Sequence, residues 1–268
     1  MREVAFGQYY PVKSFVHNMD ARAKIVLSIA YIVAVFLVRE FFFLGFLAAF
    51  LFVAVAVAFS RVPFIKVLKS IKGIMFFIVF SAVLQLLFNK EGTGYSWWIF
   101  TVTDIGLKKA AFIILRISLV VMGTAILTLT TTPVEIADGI ESLLSPLKFV
   151  KFPVHEFALI MSIALRFIPT LMDETDRIIS AQKARGADFE SGNLFKRAKA
   201  LIPILIPLLI SSFRRADELG DAMDARCYSG SKNRTKYKKL KYSYRDLIAL
   251  LVVAGLIVGI VLLNGVVL

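Results

Sequence analysis

Two arginines, Arg185 and Arg226, carry the clearest chemical signal in this 268-residue chain. Each closes a pattern in which an apolar stretch gives way to a charged one. The first copy ends Ala184-Arg185-Gly186 and the second Ala225-Arg226-Cys227. Laying Arg185 on Arg226 also aligns Asp176 with Asp217 and Ala181 with Ala222. Self-similarity of this kind marks two copies of one supersecondary unit. A helix running to Ala184 would stop at Gly186, the residue type that takes the left-handed conformation past a helix C-terminus most easily. One arginine in such a place need only complement the helix dipole. Two in matching places point to a protein partner with acidic pockets, because a planar, five-donor guanidinium suits bidentate pairing with carboxylates. Ala216, Gly220, Ala222 and Ala225 are small enough to let another helix approach. The two copies are therefore expected to pack on each other, on a partner, or on both.

What must position these helices follows from composition. The chain is 58% hydrophobic, with a mean hydropathy of +0.77, which is more apolar surface than a water-soluble fold can hide. Several runs approach the ~20 apolar residues needed to cross a ~30 Å hydrocarbon core. The expected fold class is all-α: a polytopic membrane helical bundle of about five spans, with a long cytoplasmic insert forming two interfacial helices. Spans are expected near residues 24–38, 41–59, 73–88, 105–130 and from 246 onward. The corresponding domains are 1–130 for spans one to four, 131–245 for the insert and 246–268 for the last span. Between spans two and three, Arg61, Lys66, Lys69 and Lys72 recur opposite Phe64, Ile65, Leu68 and Ile71, the pattern of an amphipathic surface helix. The stretch 89–104 reads as a loop with Tyr95, Trp97 and Trp98 at headgroup level. Within the insert, 157–172 carries Arg166 and Pro169, and 201–213 carries Pro203 and Pro207. Both are too short to cross comfortably and read as buried or interfacial helices.

The net charge of +13 is sorted by side. Lys13, Arg22, Lys24, the Arg61–Lys72 cluster and the insert face one way; Arg39, Lys90, Lys108 and Lys109 face the other. By the positive-inside rule, the N-terminus and the insert are cytoplasmic and the C-terminus is outside. This explains most of the basic excess without a nucleic-acid partner. The Lys/Arg tract at 231–239 reads as a connector gripping anionic lipid.

Other chemistries are poorly served. One cysteine and two separated histidines cannot build a protein-only tetrahedral metal site, and a single cysteine excludes an intrachain disulfide. No Gly-x-x-x-x-Gly-Lys-Ser/Thr run cradles phosphates, and no Ser/His/Asp set or paired-His motif suggests catalysis. No secretory signal is expected at the N-terminus. Arg116, deep in span four, is expected to face the bundle interior and hold a partner carboxylate or backbone carbonyls. Gly255 and Gly259 form a Gly-x-x-x-Gly pair, expected to pack within the chain. Thr132-Pro133-Val134-Glu135 reads as a capped helix start.

The insert with its repeated Ala-Arg-Gly-type ends resembles the transmembrane (T) component of energy-coupling factor transporters. His17-Asn18-Met19-Asp20-Ala21-Arg22-Ala23-Lys24 is similar to that family's His-x-Leu-Asp-Pro-Arg-x-Lys signature. Thr130 to Glu135, Leu165-Arg166-Phe167-Ile168-Pro169 and Arg214-Arg215-Ala216-Asp217-Glu218-Leu219 match further stretches in order. The departures are Met19, Ala21 and Cys227. The resemblance implies an ABC-type importer in the cell membrane that takes up vitamins or other micronutrients. Two ATPase subunits would bind the coupling-helix ends at Ala184, Arg185, Gly186, Ala225, Arg226 and Cys227. A membrane-embedded substrate-binding subunit would dock nearby, with Arg166, Pro169, Pro203, Pro207 and Arg116 serving docking or scaffold roles. ATP and magnesium would belong to the ATPases, leaving this chain without a cofactor and without catalysis. The competing classes are an intramembrane enzyme built around Asp173, Glu174 and Asp176, and a polybasic lipid-binding or channel protein. Activity or conductance of the isolated chain separates these from a subunit that is inert alone.

Overall fold

The computed structural model describes residues 9–39, 43–88, 94–97, 100–146, 153–189, 193–230 and 242–266. The polybasic tract, Trp98 and Lys90 lie outside these residues. Helix α1 (Ala21–Leu37) starts where Asp20 accepts a hydrogen bond from the Arg22 amide at 2.9 Å, a side-chain N-cap. Helix α2 (Phe43–Ser60) follows, then α3 (Phe64–Lys72), which begins right after Pro63, and α4 (Met75–Phe88). On α3, Lys66, Lys69 and Lys72 are exposed and Val67 is buried, while Phe64, Ile65 and Leu68 on the apolar side are exposed as well. The axes of α3 and α4 differ by 60°.

The stretch read as a loop contains a hairpin instead. Strand β1 (Gly94–Trp97) pairs antiparallel with β2 (Phe100–Thr103), with Gly94 opposite Thr103 and Trp97 opposite Phe100. Tyr95 and Trp97 in β1 and Phe100, Thr101, Val102 and Thr103 in β2 are of the aromatic and β-branched types that favour extended backbone. Thr103 then caps α5 (Asp104–Thr130) by accepting from the Gly106 amide at 3.0 Å. Helix α6 (Pro133–Leu144) has a reciprocal cap: the Glu135 amide donates to Thr132 Oγ1 at 3.3 Å, and the Thr132 amide donates to Glu135 Oε2 at 3.4 Å. Then come α7 (Val154–Ala184), α8 (Leu194–Ala225) and α9 (Tyr244–Val266).

The two short apolar stretches of the insert thus lie inside helices 31 and 32 residues long. Pro169, Pro203 and Pro207 sit inside them, each removing one backbone donor from the ladder. Helices α2, α5 and α9 are long and apolar enough to cross a membrane, and the bent pair α3–α4 makes a fourth crossing if it counts as one span. The first expected span is α1, whose 17 residues fall just short of that length.

The chain divides into two compact units, residues 7–143 with 239–268, and residues 144–238. In the first, α5 packs against α1, α2, α3 and α4, and α9 packs against α1 and α2. Tyr31, Val35, Phe46, Val53, Phe112 and Leu119 belong to its core. Tyr31 stacks on Phe52, and its hydroxyl donates to the Leu119 carbonyl at 3.3 Å. Gly123 is required there, since a Cβ would clash with the Tyr31 ring. Arg116 turns inward as expected and donates from Nη2 to the Val38 carbonyl at 2.8 Å, while Asn264 Nδ2 donates to Leu37 at 2.8 Å. Both side chains thereby satisfy carbonyls left open at the end of α1. The Gly255–Gly259 expectation fails: among the described residues, apart from the helix's own backbone, no atom lies within 4 Å of a Cβ built at either position, so this pair packs against none of them. Outward faces are strongly apolar, with Phe76 at 74% and Phe77 at 65% exposure. Such a surface suits lipid and not water.

Candidate functional site

The second unit holds both arginines of the repeat, and it builds the same helix end twice. At the end of α7, the Arg185 amide donates to Gln182 at 3.1 Å, Gly186 to Lys183 at 3.0 Å and Ala187 to Gln182 at 3.0 Å. At the end of α8, Arg226 donates to Met223 at 3.1 Å, Cys227 to Asp224 at 2.9 Å and Tyr228 to Met223 at 3.1 Å. Every donor and acceptor in the second set is the repeat equivalent of one in the first. The chain then leaves the helix through Gly186 at φ +84° and Cys227 at φ +55°. Cys227 therefore adopts the left-handed conformation despite its side chain, which glycine does at no steric cost. Arg185 and Arg226 are both exposed, as are Ala184, Gly186, Ala225 and Cys227. Each guanidinium is carried on the last turn of a long helix, and that terminus is the negative end of the helix dipole.

The two helices also meet at equivalent positions. Arg215 Nη2 donates to Glu174 Oε2 at 3.0 Å, across a sequence separation of 41, which is the repeat offset. Both side chains are about one-third exposed. Next to this pair lies a cavity of about 310 Å³, bordered by Phe167 and Leu171 of α7 and Ala216, Leu219 and Gly220 of α8. The stretches 165–169 and 214–219, far apart in sequence, thus share one pocket. Gly220 has open space where its Cβ would stand, so the small residues here leave a gap instead of a tight helix contact. Arg166, Pro169, Pro203 and Pro207 are exposed along the same helices, with Ile204 buried between the last two. Arg116 belongs to the first unit and is tied to α1 there.

A second polar constellation, in the first unit, had no assigned role in the sequence. Lys24 is buried and donates from Nζ to the His17 carbonyl at 3.1 Å, the Thr130 carbonyl at 3.0 Å and Thr131 Oγ1 at 3.2 Å. His17 bonds through its ring to Ser14 Oγ at 2.7 Å and to the Tyr10 carbonyl at 2.9 Å. Asp246 accepts from the Asp20 amide at 3.0 Å and the Ser243 amide at 2.7 Å. The stretches 17–24 and 130–135, matched separately in sequence, are therefore one knot that also anchors the start of α9. His17 precedes α1, and partial burial lowers its pKa from 6.5, opposed by the Tyr10 carbonyl and Glu135. What sequence lacked was the pairing: Asp246 reads only as the start of an apolar run until the fold sets it against Asp20.

Among the described residues, no three His, Cys, Asp or Glu side chains come together to hold a metal ion. The family described as cobalt transport protein (CbiQ) matches residues 12–237. The chain is 46% identical over 248 residues to the energy-coupling factor transporter transmembrane protein EcfT of Ruminiclostridium cellulolyticum, covering 92% of each chain. It is 49% identical over 252 residues to the protein of that name from Clostridium kluyveri, covering 93% of this chain and 92% of that one. With the Bacillus subtilis protein of that name it shares 45% over 264 residues, covering 96% and 98%. Identity of this depth along nearly the whole length, on a bundle with lipid-facing helices, places the chain in the CbiQ family, among the energy-coupling factor transporter transmembrane proteins, as a non-enzymatic, multi-pass membrane component of a transporter.

Proposed function

We propose that this chain is the coupling subunit of an energy-coupling factor importer of the ATP-binding-cassette type. Two cytosolic ATPase subunits each take one helix end into a surface groove, where Arg185 and Arg226 pair with acidic side chains. ATP and magnesium are bound by those subunits. A separate membrane-embedded subunit binds the vitamin or other micronutrient and docks on the apolar faces of α7 and α8. Closure of the ATPase pair changes how α7 and α8 cross, and the docked subunit tilts and releases its cargo inside. The N-terminus and the insert face the cytoplasm.

The observation that carries this reading is the duplicated helix end. Two exposed guanidiniums, each one residue before a left-handed turn, are held by equivalent hydrogen bonds in one unit. A dimeric motor needs two equivalent grips, and a charge-assisted pair in each groove supplies them. The test is co-purification in mild detergent. Arg185→Glu with Arg226→Glu should abolish recovery of the ATPases while leaving membrane insertion of the chain intact. Recovery of the full complex by the double variant would refute the assignment.

A further inference from the structure

The first unit encloses a slot of about 370 Å³ among α1, α2, α5 and α9. Its walls are almost wholly carbon, including Leu27, Phe52, Ala56, Ile126, Ala249 and Val253. The polar groups at its edge are already engaged. The Tyr31 hydroxyl is given to Leu119, and Lys24 Nζ has three acceptors. An apolar space offers water no partners, and leaving it empty forfeits dispersion contacts along every wall. The slot opens sideways: Val55 and Phe59 of α2 and Ile248 and Val252 of α9 line it, yet each is 42–60% exposed. Hydrocarbon can therefore enter from the surrounding membrane.

The mouth of the slot carries a cation. Arg245 precedes Ile248 and Ala249 by one turn, and Val252 and Val253 by two, on one face of α9. Its guanidinium lies 5.8 Å from the ring centroid of Phe15, itself a slot wall. Its Nε donates to the Tyr244 hydroxyl at 3.4 Å, and no carboxylate among the described residues is paired with it. Of the neighbouring acids, Asp246 accepts from two backbone amides and Asp20 pairs with Arg22 through Oδ1. An unneutralised guanidinium above an apolar slot, at the first turn of a membrane helix, matches a phosphate with a hydrocarbon tail.

We propose that the slot holds one hydrocarbon chain of an anionic glycerophospholipid, with its phosphate on Arg245. The test is native mass spectrometry of the full-length chain in mild detergent, with phosphatidylglycerol and phosphatidylcholine of the same acyl chains competing. The wild-type protein should retain one phosphatidylglycerol, favoured about fivefold by the single rim arginine. Arg245→Gln should bring the two lipids to near parity. Ala249→Phe and Ala56→Phe, which fill the slot, should abolish retention of both. Because Arg245 stands at the rim, its variant decides the matter even where a wall variant does not fold. An unchanged preference in Arg245→Gln, or full retention in folded wall variants, would overturn the proposal. So would loss of the lipid when the partner subunits are assembled around the chain, since the occupant would then be a protein segment.

Discussion

At the residue scale, Gly186 and Cys227 do the same work with different side chains. Both leave their helix at positive φ, and a Cβ there costs roughly 1–2 kcal/mol relative to right-handed backbone. None of the described residues crowds the Gly186 Cβ position, so conformation sets the effect there. Cys227→Gly should therefore stabilise the end of α8 by about 1 kcal/mol, and Gly186→Ala should destabilise that of α7 by a similar amount. Denaturant titration followed by circular dichroism measures both, and opposite signs are the expected outcome. His17 makes a pH-dependent contribution. Its folded-state pKa lies below 6.5 because burial disfavours the charged ring, so the unfolded chain takes up the proton first. That contribution is intact above pH 6.5 and is lost as the pH falls from there through the folded pKa. Replacing His17 with Gln should flatten the decline in melting temperature just below pH 6.5, before carboxylates titrate.

At the scale of elements, the contact between α7 and α8 includes an ion pair beside a gap. Arg215 and Glu174 are partly exposed, so a coupling of about 0.5–1 kcal/mol is expected from a double-mutant cycle. Glu174→Arg alone should lower stability by placing like charges together, and adding Arg215→Glu should restore much of it. Stability of the four proteins in a denaturant series gives the coupling directly. The elements themselves were largely legible in sequence. Pro133 with Thr132 and Glu135 announced α6 through the capping chemistry now seen in two hydrogen bonds. The basic stripe at Lys66, Lys69 and Lys72 announced α3. Less legible was the length of α7 and α8, because Pro169, Pro203 and Pro207 look like stops while the surrounding residues keep the helices going. The hairpin at 94–103 was hidden because its few aromatic and β-branched residues resemble an interfacial loop. The knot around Lys24 was unreadable for another reason: its acceptors are mostly backbone carbonyls, which every sequence has everywhere.

At the scale of the whole molecule, the sidedness of the chain can be checked with its one cysteine, exposed at the end of α8. With the insert in the cytoplasm, a membrane-impermeant maleimide should leave Cys227 unlabelled in intact cells and label it in inside-out vesicles from cells that express this chain without its partner subunits. Labelling from outside would reverse the orientation read from Lys and Arg placement. The pairing of Glu174 with Arg215 has a consequence at this scale as well. These two positions stand in for each other in the duplicated pattern, so they occupy the place where a two-fold axis between the copies would pass. A pair of identical chains would bring the same residue against itself there, acid on acid or base on base. Writing both copies into one polypeptide lets that shared place carry opposite signs, so the crossing is sealed by attraction and cannot be reproduced by two separate molecules of either half.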